Sequence, residues 1–280
     1  MTTAVERVIR PSTGFTRLNL GTLWQSRELL WFLAWRDILV RYKQTYLGVA
    51  WAVAQPFLTT VVFTVIFGRL ANLPSEGAPY AVMTLAALLP WQFFANAMTE
   101  SSNSILASSG MITKVYFPRL ILPASAVLSG TPDFIIGLVM LLAMMAWYGV
   151  PFTPALLAIP VFALLAGLSA LAAGLWLSAL NVRYRDVRYI VPFLTRVGLY
   201  VTPVAFSTQW LQSKVSPASF LGYSLNPLVG IIDGFRWCIL GPSFQPGWVS
   251  LSAGVVVMLL LLVSGAYYFR TVERTFADII

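Results

Sequence analysis

The 280-residue chain has no histidine and a single cysteine, Cys238. Losing histidine removes the commonest general base and the commonest metal ligand, which excludes metalloproteases and histidine-dependent transferases. One cysteine excludes an intrachain disulfide. Charge is also scarce. Only 10% of residues are charged, and the 10 acidic ones are scattered, with no pair at a spacing that acid–base chemistry uses. No glycine is followed by lysine, which rules out a phosphate-binding P-loop. Residues 1–29 hold no short apolar core before a small-residue cleavage site, so no secretory signal is expected and targeting falls to the first spanning helix.

What the chain does have is apolar surface. Apolar residues make up 58% of it, and the mean hydropathy is +0.78, far from the balance of a soluble domain. The expected fold class is an all-α membrane protein forming one helical bundle. Six spans are predicted, at 47–67, 79–98, 120–148, 154–180, 190–206 and 248–269, each about long enough for ~30 Å of hydrocarbon. Residues 1–26 read as a cytoplasmic tail with little packed structure, and 27–280 as the bundle. Gln55–Pro56, Pro192 and Pro203 predict bends in the first and fifth spans.

Residues 27–48 mix aromatic, aliphatic and cationic side chains. At 100° per residue Trp31, Trp35, Ile38, Tyr42 and Tyr46 share a face, with Arg36, Asp37, Arg41 and Gln44 away from it. Leu33 and Val40 interrupt the polar side. This pattern predicts an amphipathic helix over 27–46 on the membrane surface, its rings at headgroup level and its cations toward phosphates. Between the last two spans, residues 226–241 open on Asn226 and Pro227 and stop at Gly241–Pro242, the signature of a capped helix of about 14 residues. That is too short to cross and too apolar for an exposed loop, so a re-entrant or interfacial helix is expected. A shorter one is expected at 207–215, around Trp210.

Six spans put fifteen of the eighteen Lys and Arg residues on one side. That side is cytoplasmic by the positive-inside rule, so both termini face the cytoplasm. The same asymmetry accounts for the net charge of +8 without nucleic acid. Asp133 is the one carboxylate deep in a predicted span. It reads either as a proton or ion site or as a packing anchor, hydrogen-bonded beside Pro132 or paired with Arg196. The anchor is preferred, because no second carboxylate lies near its depth. Residues 99–119 read as an ordinary polar loop or as a short projecting helix at 103–109 that receives motion from a soluble motor. In the second case Met111 and Ile112 would be apolar knobs and Lys114 a polar contact. Arg183, Arg185 and Arg188 read first as positive-inside anchors and second as contacts to an anionic lipid or partner. Trp51, Trp91, Phe94, Phe193 and Tyr200 belong to a set of aromatics that reads first as lipid-facing and second as a sliding surface for sugar rings.

Six strings, in order and at fitting distances, carry a resemblance. They are RDILVRYKQTYLGVAW at 36–51, KVYFPRLILP at 114–123, NVRYRDVRYIVPF at 181–193, TPVAF at 202–206, NPLVGIIDGFRW at 226–237 and ERTFADII at 273–280. From about residue 30 onward the chain resembles the permease subunit of type-2 ABC transporters that export bacterial polysaccharides such as O-antigen, capsule and teichoic acid. The resemblance implies a homodimer in the cytoplasmic (inner) membrane, working with a separate ABC ATPase that binds ATP and Mg. No cofactor or metal is expected on this chain. The cargo implied is a polysaccharide on undecaprenyl pyrophosphate. Residues 27–46 then match a gate helix, with Trp31, Trp35, Arg36, Arg41, Tyr42 and Lys43 at the lipid headgroup and Leu33 and Val40 toward the bundle. Asn103, Met111, Ile112, Lys114 and Arg119 match the ATPase-coupling loop. Trp210, Asn226, Pro227 and Arg236 match a periplasmic gate. Many relatives carry a further lysine before KVYFPR, where this chain has Thr113. The alternatives are an ABC exporter of another lipid or a drug, an ion-coupled transporter using Asp133, and a glycolipid-modifying enzyme, the last disfavoured by the missing catalytic groups.

Overall fold

The computed structural model describes residues 20–43, 46–115, 117–184 and 186–276, and all regular structure among them is helical. Arg7, Arg10, Arg17, Gln44, Arg185 and residues 277–280 lie outside the described residues. A short helix α1 (Leu20–Gln25) leads into α2 (Arg27–Tyr42) and α3 (Tyr46–Phe63), which ends in a π-helical turn over Thr64–Leu70. Then come α4 (Tyr80–Ala107), α5 (Ser109–Ile112), α6 (Ile121–Ser129), α7 (Thr131–Tyr148) and α8 (Ile159–Arg183). The chain closes with α9 (Val187–Val201), α10 (Thr208–Lys214), α11 (Pro217–Ser224), α12 (Pro227–Leu240) and α13 (Trp248–Val272). The six-residue helix at 20–25, with Trp24 exposed, lies in the stretch expected to be a tail with little packed structure.

Among the described residues, five helical stretches are long and apolar enough to cross a membrane: Ala50–Leu70, Tyr80–Ala107, Ile121–Tyr148, Pro154–Arg183 and Trp248–Val272. The chain is therefore a multi-pass membrane protein. Where a span was expected at 190–206, α9 has 15 residues, about 22 Å at 1.5 Å per residue. It ends in a non-helical segment around the buried Thr202, Pro203 and Val204. The expected span at 120–148 is two helices meeting at Gly130.

Helix α4 corrects two expectations. The span predicted to end at 98 continues unbroken to Ala107, so 103–107 is its last turn and no separate helix covers 103–109. The polar composition that suggested a loop is satisfied inside the helix. The Thr99, Ser102 and Ser104 hydroxyls donate to the carbonyls of Ala95, Thr99 and Ser101, and the Asn103 amide donates to Thr99. A helix that answers its own side chains can carry serine at depth.

Every side chain from Ala81 to Trp91 is buried. Around this half of α4 lies the main core, with Phe134, Leu141 and Met145 of α7, Phe162 of α8 and Ile232 and Phe235 of α12. A second core joins Leu33 of α2 to Ile105, Ile112, Phe117, Ile121, Leu175, Phe269 and Phe276. Outward faces of α3, α9 and α13 stay apolar and exposed, including Val62, Ile66, Phe193, Val197, Leu260 and Val263. Such continuous apolar surface suits lipid or a second chain.

Small residues set the closest approaches. A methyl at Gly174 would lie 2.2 Å from the Ser101 Oγ, and one at Gly230 would lie 2.5 Å from the Leu251 Cα. The second is the more demanding, because backbone cannot swing aside. Gly230→Ala is expected to cost about 1–3 kcal/mol by overpacking α12 against α13. Gly222→Ala, with nothing within 4 Å of the added carbon, is expected to be neutral. Thermal unfolding of the detergent-solubilised protein reads the difference, and equal melting of the two variants would contradict this packing.

Candidate functional site

Two polar centres lie at opposite ends of α4. The contact residues Met83 and Glu100 put them about 25 Å apart along the helix.

The first centre forms where α2 meets α4 and α7. Leu33 and Ala34 are buried, and one and two turns on, Asp37 and Arg41 continue that face inward. Arg41 donates from Nη1 to the Asp133 Oδ2 at 2.7 Å and from Nη2 to the Glu100 Oε1 at 3.4 Å. The Tyr42 hydroxyl donates to the other Asp133 oxygen. Burial, then this hydrogen bond and the Asp133 charge, push the Tyr42 pKa well above its ordinary value, so the phenol stays a donor. Asp133 is thus held at both oxygens, by Arg41 and Tyr42. Arg196, the partner in one of the two anchoring arrangements considered for it, is exposed on α9. Sequence reading overlooked Glu100, a lone carboxylate in a stretch taken for a loop.

A cavity of about 460 Å³ opens on this centre, lined by Trp51, Gln55, Gln92, Asn96, Glu100 and Asp133 among others. The side-chain amides of Gln55, Gln92 and Asn96 have no hydrogen-bond partner among the described residues. A second cavity of about 380 Å³ lies between α2, the end of α4 and α6, lined by Arg36, Asn103, Ser104, Ser125 and Ser129. Arg41 and Glu100 line both cavities.

Of the three cations expected to act together, Lys43 is split from Arg41 by helical phase, and Arg36 borders both the outer face and the cavity that Arg41 lines. Arg36, Leu39, Val40 and Lys43 share the outer face of α2 with Phe32 and Trp35, while Arg41 points inward. Val40, expected to face the bundle, is 75% exposed. The Arg36 guanidinium is held by the adjacent Asp37 at 2.7 Å. Trp31 and Trp35 are exposed, as a membrane-facing side would require.

The second centre is built around Arg236 of α12, which is completely buried. Its guanidinium donates to the carbonyls of Phe206 at 2.9 Å, Val204 at 3.0 Å and Met83 at 3.4 Å. The Tyr80 hydroxyl donates to the Ala205 carbonyl between them. Three consecutive carbonyls of the non-helical segment after α9 thus find side-chain donors where no helix supplies any. The Ser207 hydroxyl donates to the Glu76 Oε1 at 2.8 Å and caps α10 by accepting from the Trp210 amide at 3.0 Å. The Thr208 hydroxyl donates to the Asp233 Oδ1 at 2.7 Å. Asn226 accepts from the Leu228 amide at 3.0 Å, and Gly241, with φ of +80°, ends α12 where the sequence indicated. Tyr80, Glu76, Thr208 and Asp233 were not singled out by sequence reading. The signal available was Asp233 three residues before Arg236 in an otherwise apolar helix.

The remaining candidates do not converge. Trp91 is buried with Phe94 against it at 5.7 Å, whereas Phe193 and Tyr200 are exposed on α9. Ile112 lies inside the second core and is not displayed as a knob. Lys114 is exposed and Met111 half-buried. Asn103 accepts from the Asn181 amide at 3.1 Å. Arg119 donates to the Glu273 carbonyl and stacks over Phe276. Arg183 and Arg188 are exposed. No group of three or more metal-ligating side chains occurs among the described residues.

Arg236→Met should unfasten the Val204–Phe206 carbonyls and leave Asp233 without a nearby cation, at a cost on the order of 3–5 kcal/mol. Arg236→Lys, with a single ammonium in place of the fork, should fall between. Thermal unfolding of the purified protein ranks the three, and an unshifted Arg236→Met protein would contradict the clamp.

Residues 28–240 match the ABC-2 type transporter family. The chain is 28% identical over 256 residues to the O-antigen export system permease protein RfbA of Myxococcus xanthus, covering 91% of this chain and 96% of that protein. It is 27% identical over 267 residues to a protein of the same name from Klebsiella pneumoniae, covering 94% and 98%. A match over residues 28–240 to the family, carried on a bundle whose described residues include five helical stretches long and apolar enough to cross a membrane, establishes that this chain belongs to the ABC-2 type transporter family.

Proposed function

We propose that the chain is the membrane-spanning subunit of an ATP-driven exporter that moves a lipid-linked polysaccharide across the cytoplasmic membrane. The names of its relatives, which cover nearly their whole length, favour an O-antigen-like cargo. In this reading the subunit works as a homodimer with a separate ATPase, and both termini face the cytoplasm. Helix α9 and the non-helical segment after it form the sixth crossing. Helix α2 lies along the cytoplasmic interface, and α10 to α12 enter the membrane from the far side without crossing it.

The observation that carries this reading is the cavity beside Arg41. A cation suited to a diphosphate stands at its edge, and three carboxamides and an indole ring line it. Carboxamides both donate and accept, which matches sugar hydroxyls, and the Trp51 face suits the C–H face of a sugar ring. The separation of Lys43 from Arg41 by helical phase favours Arg41 for the headgroup, with Arg36 and Lys43 attracting anions at the outer face. Engagement of Asp133 by both Arg41 and Tyr42 favours the anchor reading over an ion-coupled transporter. The exposed Lys114 at the turn after α5 is left as the main ATPase contact of that loop.

Arg41→Ala is expected to abolish surface polysaccharide at normal membrane levels of the protein, whereas Lys43→Ala should reduce it only a few-fold, roughly the effect of one exposed charge. Immunoblotting of surface polymer reads both, and normal polymer in Arg41→Ala would overturn the headgroup role. Lys114→Glu should leave the permease folded but lower recovery of the co-expressed ATPase in a pull-down. Unchanged recovery would move the docking surface elsewhere.

A further inference from the structure

Among the described residues, the centre on Arg41 holds more negative than positive charge. Two guanidinium groups, Arg36 and Arg41, face three carboxylates, Asp37, Glu100 and Asp133. A diphosphate brought to Arg41 would meet that excess, so one carboxylate must give way for it to bind. The three are not held alike. Asp37 occupies Arg36. Asp133 contacts Arg41 at 2.7 Å, receives the Tyr42 hydroxyl on its other oxygen, and has a side chain only 29% exposed. Glu100 reaches Arg41 by one 3.4 Å contact from a side chain 56% exposed. It stands with Arg41 at the boundary of the serine-lined and the amide-lined cavities.

We propose that the two carboxylates on Arg41 have different parts. Asp133 positions the guanidinium, and Glu100 is a displaceable internal anion occupying the place that the substrate's diphosphate takes. Binding exchanges Glu100 for phosphate, and the departure of Glu100 joins the two cavities into one polar path beside α2. Glu100 therefore sets specificity as well, because a weakly charged headgroup does not compete for Arg41. This rests on the headgroup reading above.

The test is equilibrium binding of farnesyl diphosphate, with inorganic pyrophosphate as the free-headgroup control, to the full chain in lipid nanodiscs. Glu100→Gln should bind farnesyl diphosphate tighter, by roughly two- to fivefold, since it removes a competing exposed anion. Asp133→Asn should bind roughly tenfold weaker or worse, because Arg41 loses its partly buried hold. If Asp133→Asn fails to fold, Tyr42→Phe, which frees one oxygen of Asp133, should weaken binding in the same direction. Pyrophosphate binding that follows the same order assigns the effect to the headgroup. Should the wild type bind while Glu100→Gln binds no tighter, or shifts in the same direction as Asp133→Asn, the exchange is wrong and the headgroup reading stands. Should the wild type and Arg41→Ala bind farnesyl diphosphate equally, or neither bind, both readings fall.

Discussion

Close packing around the first half of α4 is the constraint on which the rest of the structure depends. Eleven successive residues of this helix have no exposed side chain. A helix buried all round must be met on every side by complementary surfaces, which here come from α3, α7, α8, α9 and α12. Glycine at 137, 198 and 174 admits Leu89, Trp91 and Ser101 of α4 where any larger side chain would collide. With the axis fixed in this way, both polar centres are placed by their distance along one rigid rod.

The two centres solve the same electrostatic problem differently. Arg236 is enclosed, and its fork is spent on backbone carbonyls, so it holds a break in the fold. Moving it would strand several buried acceptors at once, which makes it a fastener. Arg41 is part-exposed and answered by carboxylates, of which one is held firmly and the other loosely. An ion pair at such a boundary is only modestly stabilising, which leaves room for exchange with another anion.

Much of the architecture was legible in the sequence because membrane helices and caps depend on local pattern. Long apolar runs marked the crossing helices, and Asn226–Pro227 and Gly241–Pro242 marked both ends of α12. The polar end of α4 was not legible. Serine and asparagine read as loop unless their hydroxyls and amides are known to bond back along the helix. The end of α9 was legible only in part: Pro203 marked a bend in the expected span, but hydropathy does not register that the freed backbone is held by Arg236 and Tyr80.

Composition and charge asymmetry alone pointed to a multi-span membrane protein, and the ordered strings pointed to its family. Those properties sum over residues and need no coordinates. Only the tertiary structure decided which cations act together. The wheel of α2 separates Arg41 from Lys43, and the partners of Arg41 come from positions 59 and 92 residues further on. Neither the pairing of Asp133 with Arg41 nor the clamp of Arg236 on Val204 and Phe206 follows from spacing. Each is made by packing helices that are distant in the chain, and such contacts leave no periodic trace in the sequence.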